Sequence, residues 1–195
     1  MREEFCQSRK RPRNGGNKVR VSARLFAAVF VLMMIASVVA SAEQYKINKP
    51  IYGFYLGESK QSLMQRASQE GITYSLKGNL PGQMFPESYA FNSSLNKSEQ
   101  VEYAVVSFYK DYVGQVTVYL VDKPENQFLQ AAQVLDQSWN SMPGYSGQTF
   151  GPAYIITLPE VLVTLVEAKT ETHITYVHRG LMRKQGEERM KTSAK

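Results

Sequence analysis

Residues Val101 to Val121 read VEYAVVSFYKDYVGQVTVYLV. The flanks Val101 to Tyr109 and Gln115 to Val121 are rich in β-branched and aromatic residues, which pack well on a pleated surface. Between them Lys110-Asp111-Tyr112-Val113-Gly114 has hairpin length and carries a glycine, so the spacing predicts an antiparallel pair. Successive strand side chains face opposite ways, which places Tyr103 and Tyr109 on a common face. Tyr119 belongs to the second strand. Cover for the hairpin has to come from the segments before and after it.

Upstream, Ile51 to Leu56 is apolar on both parities, the pattern of a central strand covered on each side. Ser59 then suits a helix N-cap, with Leu63, Met64 and Ala67 as the buried stripe. Gly71 suits the left-handed residue past the helix end, with Ile72 packing back on the last turn and a strand from about Ile72 to Leu76. Downstream, Phe128, Ala132, Leu135 and Trp139 recur at steps of four, three and four, which predicts a helix from about Glu125 to Asn140. Tyr154 to Leu158, Val161 to Glu167 and Thr172 to His178 read as a three-strand meander, turned at Leu158-Pro159-Glu160 and at residues 168–171.

Two stretches lack such periodicity. Gly78 to Gln100 is rich in Gly, Pro, Asn and Ser, and a connection of more than about 15 residues without structure of its own is often functional. Met84, Phe85, Tyr89 and Phe91 interrupt it, either to pin the loop on the core or to contact a ligand. The second stretch, Ser141 to Pro152, contains Tyr145 and Phe150. The whole order is helix, strand, strand, strand, given twice. It predicts an α+β fold with one antiparallel sheet of about six or seven strands and two helices on one face.

The remaining segments concern location and charge. Met1 to Arg24 is basic and Leu25 to Ala42 is apolar and uncharged, ending in Ala40-Ser41-Ala42, the layout of a secretory signal cleaved after Ala42. An uncleaved anchor in the inner membrane is the alternative, since spans need about 17 to 25 residues. Eight of the 23 Lys and Arg residues and two of the 17 acids precede Glu43, which leaves 15 of each and a neutral mature chain. The basic balance therefore belongs to the leader and gives no nucleic-acid footprint. The domain expected is 43–178, followed by a basic tail, 179–195, in which six Lys and Arg residues outnumber Glu187 and Glu188 and which reads as a solvated end.

Chemistry is sparsely represented. The one cysteine, Cys6, falls in the leader, so the mature chain has no thiol nucleophile or disulfide. His173 and His178 lie an odd five residues apart on one expected strand, on opposite faces, and cannot share a metal or a proton relay. No ligand spacing for a metal, nucleotide-binding glycine motif or selected carboxylate pair is present, so no cofactor is expected.

Leu56-Gly57-Glu58-Ser59 followed by Leu63 and Met64, within the tandem order of elements from Ile51 to His178, resembles the β-lactamase inhibitor protein fold and the small BamE-type (SmpA/OmlA) envelope domains. The lipid-attachment cysteine and the Gly-x-Pro after the first helix of the BamE-type domains are absent. The resemblance implies a non-enzymatic protein-binding module, while fold likeness alone does not assign function. The expectation is a periplasmic or secreted protein that binds another envelope or secreted protein. Its surface would comprise Tyr103, Tyr109 and Tyr119 on the open sheet face with Met84, Phe85, Tyr145 and Phe150 from the loops. Two alternatives stand beside it: those tyrosines lie beneath the long loops as a second apolar layer, or the chain carries a small molecule or lipid in a pocket lined by Phe128, Leu135 and Trp139.

Overall fold

The computed structural model of the chain describes residues 45–121, 127–168 and 171–193. The expected leader, 1–42, lies outside them. The described residues form an α+β fold built on one antiparallel sheet, with eight strands and three helices where six or seven and two were expected. In chain order these are α1 (Lys60–Gln69), β1 (Tyr74–Gly78), β2 (Glu87–Phe91), β3 (Val101–Tyr109), β4 (Tyr112–Leu120), α2 (Gln127–Trp139), β5 (Ser146–Phe150), β6 (Ala153–Thr157), β7 (Val161–Glu167), β8 (Thr172–His178) and α3 (Arg179–Ser193). The order across the sheet is β1-β2-β3-β4-β8-β7-β6-β5. Each half is thus a helix followed by a four-strand meander, and the two meanders meet where β4 pairs with β8.

The first helix follows its local signals. Ser59 caps it by accepting the amide of Ser62 at 3.2 Å, Gly71 takes a φ of +67°, and Ile72 turns back to bond Ala67 through its amide at 2.9 Å. Leu63 and Ala67 of α1 and Leu135 and Trp139 of α2 share one core with Ala104, Val106, Phe108, Val116, Val118, Ile174 and Tyr176. Both helices therefore close the same face of the sheet.

Several expectations are corrected. Ile51 to Leu56 is not a strand: Ile51 and Phe54 bond each other's backbone at 2.8 and 2.9 Å around Tyr52 (φ 50°) and Gly53 (φ 88°), a turn with two left-handed residues. Its apolar residues are buried as expected, but burial on both parities does not distinguish a covered strand from a folded-back turn. The central hairpin turns at Lys110-Asp111, so β4 begins at Tyr112, and Gly114 is an extra residue in the ladder between the pairs Phe108↔Val113 and Ser107↔Gln115. A side chain at Gly114 would meet the Phe85 ring at 2.4 Å. β2 and β5 emerge from the two stretches read as loops. Every residue of β5 is exposed, so its strand conformation comes from pairing with β6 and leaves no mark in hydropathy.

The basic tail is a helix over residues 179–193. It continues directly from β8, with Leu181 inserted at 1% exposure, Arg179 donating to the carbonyl of Leu158 at 2.6 Å, and Lys110 paired with Glu188 at 2.6 Å. Leu181 is its one buried residue, so no apolar stripe announced it. It packs with Phe85, Tyr109 and Val177 in a second, smaller core against the opposite sheet face.

Candidate functional site

The sheet face away from α1 and α2 divides into a filled part and an open part, and cross-strand register explains both. Directly opposed residues of neighbouring strands share a face. Tyr103 opposes Tyr119, which opposes His173; His173 opposes Val166, Val166 opposes Ala153, and Ala153 opposes Phe150. These six residues form one row across six strands. The first five are half-buried and Phe150, on the edge strand, is 56% exposed. Tyr103 and Tyr119 stack with ring centres 4.1 Å apart and planes 11° from parallel, and His173 follows at 5.4 Å from Tyr119.

At the other end of the same face, residues 79–86 lie across the strands as a strap held by polar bonds. Ser107 Oγ donates to Gln83 Oε1 at 2.6 Å and is 2.8 Å from Ser88 Oγ. Gln115 Oε1 accepts the Met84 amide at 2.9 Å, and Gln115 Nε2 donates to Thr117 Oγ1 at 3.2 Å, which lies 3.2 Å from Thr175 Oγ1. Ser88, Ser107, Gln115 and Thr117 are buried, and these bonds satisfy hydroxyls and amides that burial would otherwise make costly. Phe85, fully buried, anchors the strap.

The seven residues expected at a binding surface therefore separate. Tyr103, Tyr119 and Phe150 come together in the open row. Tyr109 faces the same way, as its even spacing from Tyr103 required, but lies with Phe85 beneath the strap and α3 at 7% exposure. Met84 is exposed on the strap. Tyr145 belongs to the helix side: it donates to the Asp136 carboxylate of α2 beside Tyr154, whose hydroxyl reaches the same oxygen at 2.8 Å. Those two bonds hold the Asp136 carboxyl below its usual value, and burial raises Tyr145. A side chain at Gly147 would meet the two tyrosine hydroxyls at 2.2 and 2.5 Å and would have to displace them. His173, Val166 and Ala153 were missed as members of the row. Parity places each on a face, but only the pairing of β4 with β8 brings them beside the tyrosines.

Electrostatics single out the tyrosine end of the row. Burial raises Tyr103 to about 12, assisted by the charges of Tyr119, Glu171 and Glu102. Burial and Glu171 also raise Tyr119. His173 is lowered by burial against the opposing pull of Glu171, and its Nδ1 is buried without a hydrogen-bond partner. His178 has the opposite parity, with Nε2 2.8 Å from the Tyr45 carbonyl and Nδ1 accepting the Gly180 amide at 3.2 Å; burial lowers it too. Both histidines thus bind protons less readily folded than unfolded. The resulting stability is complete above the unfolded value of about 6.5 and is lost as pH falls through the folded values. Proton NMR titration of the two imidazoles is expected to give midpoints below about 6.5, and the urea midpoint is expected to fall between about pH 7 and 5. Normal imidazole midpoints with a flat stability profile would disprove this.

Among the described residues no group of three His, Cys, Asp or Glu side chains is placed to hold a metal, and no helix is long and apolar enough to cross a membrane. A cleft of about 170 Å³ opens beside α2, lined by Tyr52, Leu120, Ala131, Leu135 and Ile174. Of the three residues expected to line a carrier pocket, Leu135 lies in it, while Phe128 packs part-buried against the core and Trp139 is 2% exposed within it. No protein family, curated protein or solved structure matches the chain.

Proposed function

We propose that this chain is an exported, non-enzymatic binding module that engages another envelope or secreted protein through the open row of Tyr103, Tyr119, His173, Val166, Ala153 and Phe150. The observation that carries the reading is the unequal treatment of the two sheet faces. One is closed by α1 and α2, and the other is filled at one end by the strap and α3 but left open along an aromatic row. Tyrosine is enriched at interfaces because it offers a large rigid area with a polar tip. The resemblance carried by Leu56-Gly57-Glu58-Ser59 points to the same class of protein.

Non-enzymatic action is favoured by the two histidines. His178 is engaged through both ring nitrogens with backbone groups, and His173 lies under aromatic neighbours on the opposite face. Export rests on the basic, then apolar, then small-residue order of Met1 to Ala42, and leads to the periplasm or the exterior. An uncleaved leader would hold the same domain at the inner membrane.

The test is the double substitution Tyr103→Ala and Tyr119→Ala. Wild type and variant, matched for thermal midpoint, are compared by quantitative crosslinking in the exporting cells. Proteins captured by the wild type are expected to fall at least about tenfold in the variant, the scale of losing an aromatic anchor. An unchanged capture profile would sink the assignment of this surface.

A further inference from the structure

We infer that the tyrosine end of the row receives an arginine or lysine side chain from an extended segment of the partner protein. The inference rests on the binding reading above and names the chemistry the partner must bring.

Three independent observations converge on a cation. Tyr103 and Tyr119 present two stacked, half-buried rings, and the π-face of such a ring attracts positive charge. Exposed acids flank those rings along the chain: Glu102 precedes Tyr103 in β3, and Glu171 precedes Thr172, which opposes Leu120 next to the Tyr119–His173 pair. Their negative charge adds to the rise of Tyr103, and that of Glu171 to the rise of Tyr119. A guanidinium can stack on a ring while its edge donates to a carboxylate, so the pair of features is more selective than either alone. Neutral His173 adds no opposing charge.

The third observation is how the chain uses its own cations. Lys184 sits over Tyr45 at 4.2 Å, Lys49 over Trp139 at 4.2 Å, Lys46 over Tyr55 at 4.6 Å, Lys60 over Tyr89 at 5.1 Å and Lys110 over Tyr109 at 5.1 Å. Among the described residues, no Lys or Arg lies over Tyr103 or Tyr119. Among the described residues, this stacked pair with acidic neighbours thus carries no cation of the chain's own, which suits one brought from outside. An extended segment suits the row because the open positions continue strand by strand towards Phe150, giving the residues beside the cation an apolar track.

The experiment titrates the folded chain with the blocked peptide acetyl-Gly-Arg-Gly-Val-Gly amide, the same peptide with neutral citrulline in place of arginine, and tetramethylammonium. Ring and imidazole NMR signals of Tyr103, Tyr119 and His173 are followed. The arginine peptide is expected to give saturable shifts, with affinity at least about tenfold above the citrulline peptide and above tetramethylammonium. Glu171→Gln should weaken it several-fold at an unchanged unfolding midpoint, and Glu187→Gln on α3 should leave it unchanged. Equal affinity for arginine and citrulline, no saturable shift, or indifference to Glu171→Gln would overturn the inference. Tetramethylammonium binding as tightly as the peptide would assign the site to a small cation and would overturn the partner-segment assignment. The two proposals fail separately. Loss of crosslinked partners in the double tyrosine variant without arginine selectivity would retain the surface and remove the cation. Arginine selectivity with an unchanged capture profile would do the reverse.

Discussion

Replacing Arg66 with alanine is expected to cost about 3 kcal/mol of folding stability, because it strands a buried carboxylate. Glu58 is 3% exposed. Its two oxygens receive Arg66 Nε at 2.9 Å, Arg66 Nη2 at 2.5 Å and Ser62 Oγ at 2.7 Å, while Arg66 Nη1 also donates to the Gly53 carbonyl at 2.7 Å. Breaking a buried pair from one side costs about 3 to 5 kcal/mol. The Arg66 side chain is 32% exposed, so water can partly replace it and the low end applies. The consequence extends beyond α1, since Glu58 is also paired through its backbone with Val113 at 2.9 Å, next to the Gly114 bulge of the central hairpin. Urea unfolding of R66A, E58Q and the double variant measures the effect. The double variant should recover part of the R66A loss, because no charge is left unpaired. A loss below about 1 kcal/mol in R66A would show that water reaches Glu58 and that the pair is an ordinary surface one.

Phe85→Ala is expected to lose about 3 to 5 kcal/mol, the range for emptying a fully buried aromatic site. Met84→Ala, one residue earlier and 42% exposed, should stay within about 0.5 kcal/mol. The Phe85 ring rests on Gly114, 6.2 Å from Tyr109, and closes the second core with Val177 and Leu181. Without it the strap is held by the Gln83, Ser107 and Gln115 bonds alone, each worth about 0.5 to 1.5 kcal/mol net. Hydrogen exchange at the Met84 amide, bonded to Gln115, should accelerate sharply in F85A, and the buried polar row of Ser107, Gln115 and Thr117 should become hydrated. An amide that stays protected would mean that the polar network holds the strap by itself.

These two sites also illustrate what a chain reveals locally. Ser59, Gly71 and the Leu63, Met64, Ala67 stripe act within one or two helical turns, so they could be read before any tertiary contact was known. The same holds for the central hairpin and for the odd spacing that sends His173 and His178 to opposite faces. Glu58 appeared in the sequence only within the Leu56-Gly57-Glu58-Ser59 stretch, because its partner Arg66 and its neighbour Val113 are eight and 55 residues away along the chain. β5 carries no apolar alternation and α3 no apolar stripe, so each was hidden until its neighbour supplied the pairing or the pocket for Leu181.

By itself, the order of residues determined an α+β chain with an antiparallel sheet, two amphipathic helices on one face and tyrosines turned towards the other. Periodicity and capping are short-range, so composition and spacing carry them. Tertiary structure decided which tyrosines remain reachable. Register between β4 and β8 set Tyr119 beside His173, while the strap and α3 buried Tyr109 and left Tyr103 open. Those outcomes depend on contacts between residues distant in sequence, whose free energy exists only once both meanders have met along β4 and β8.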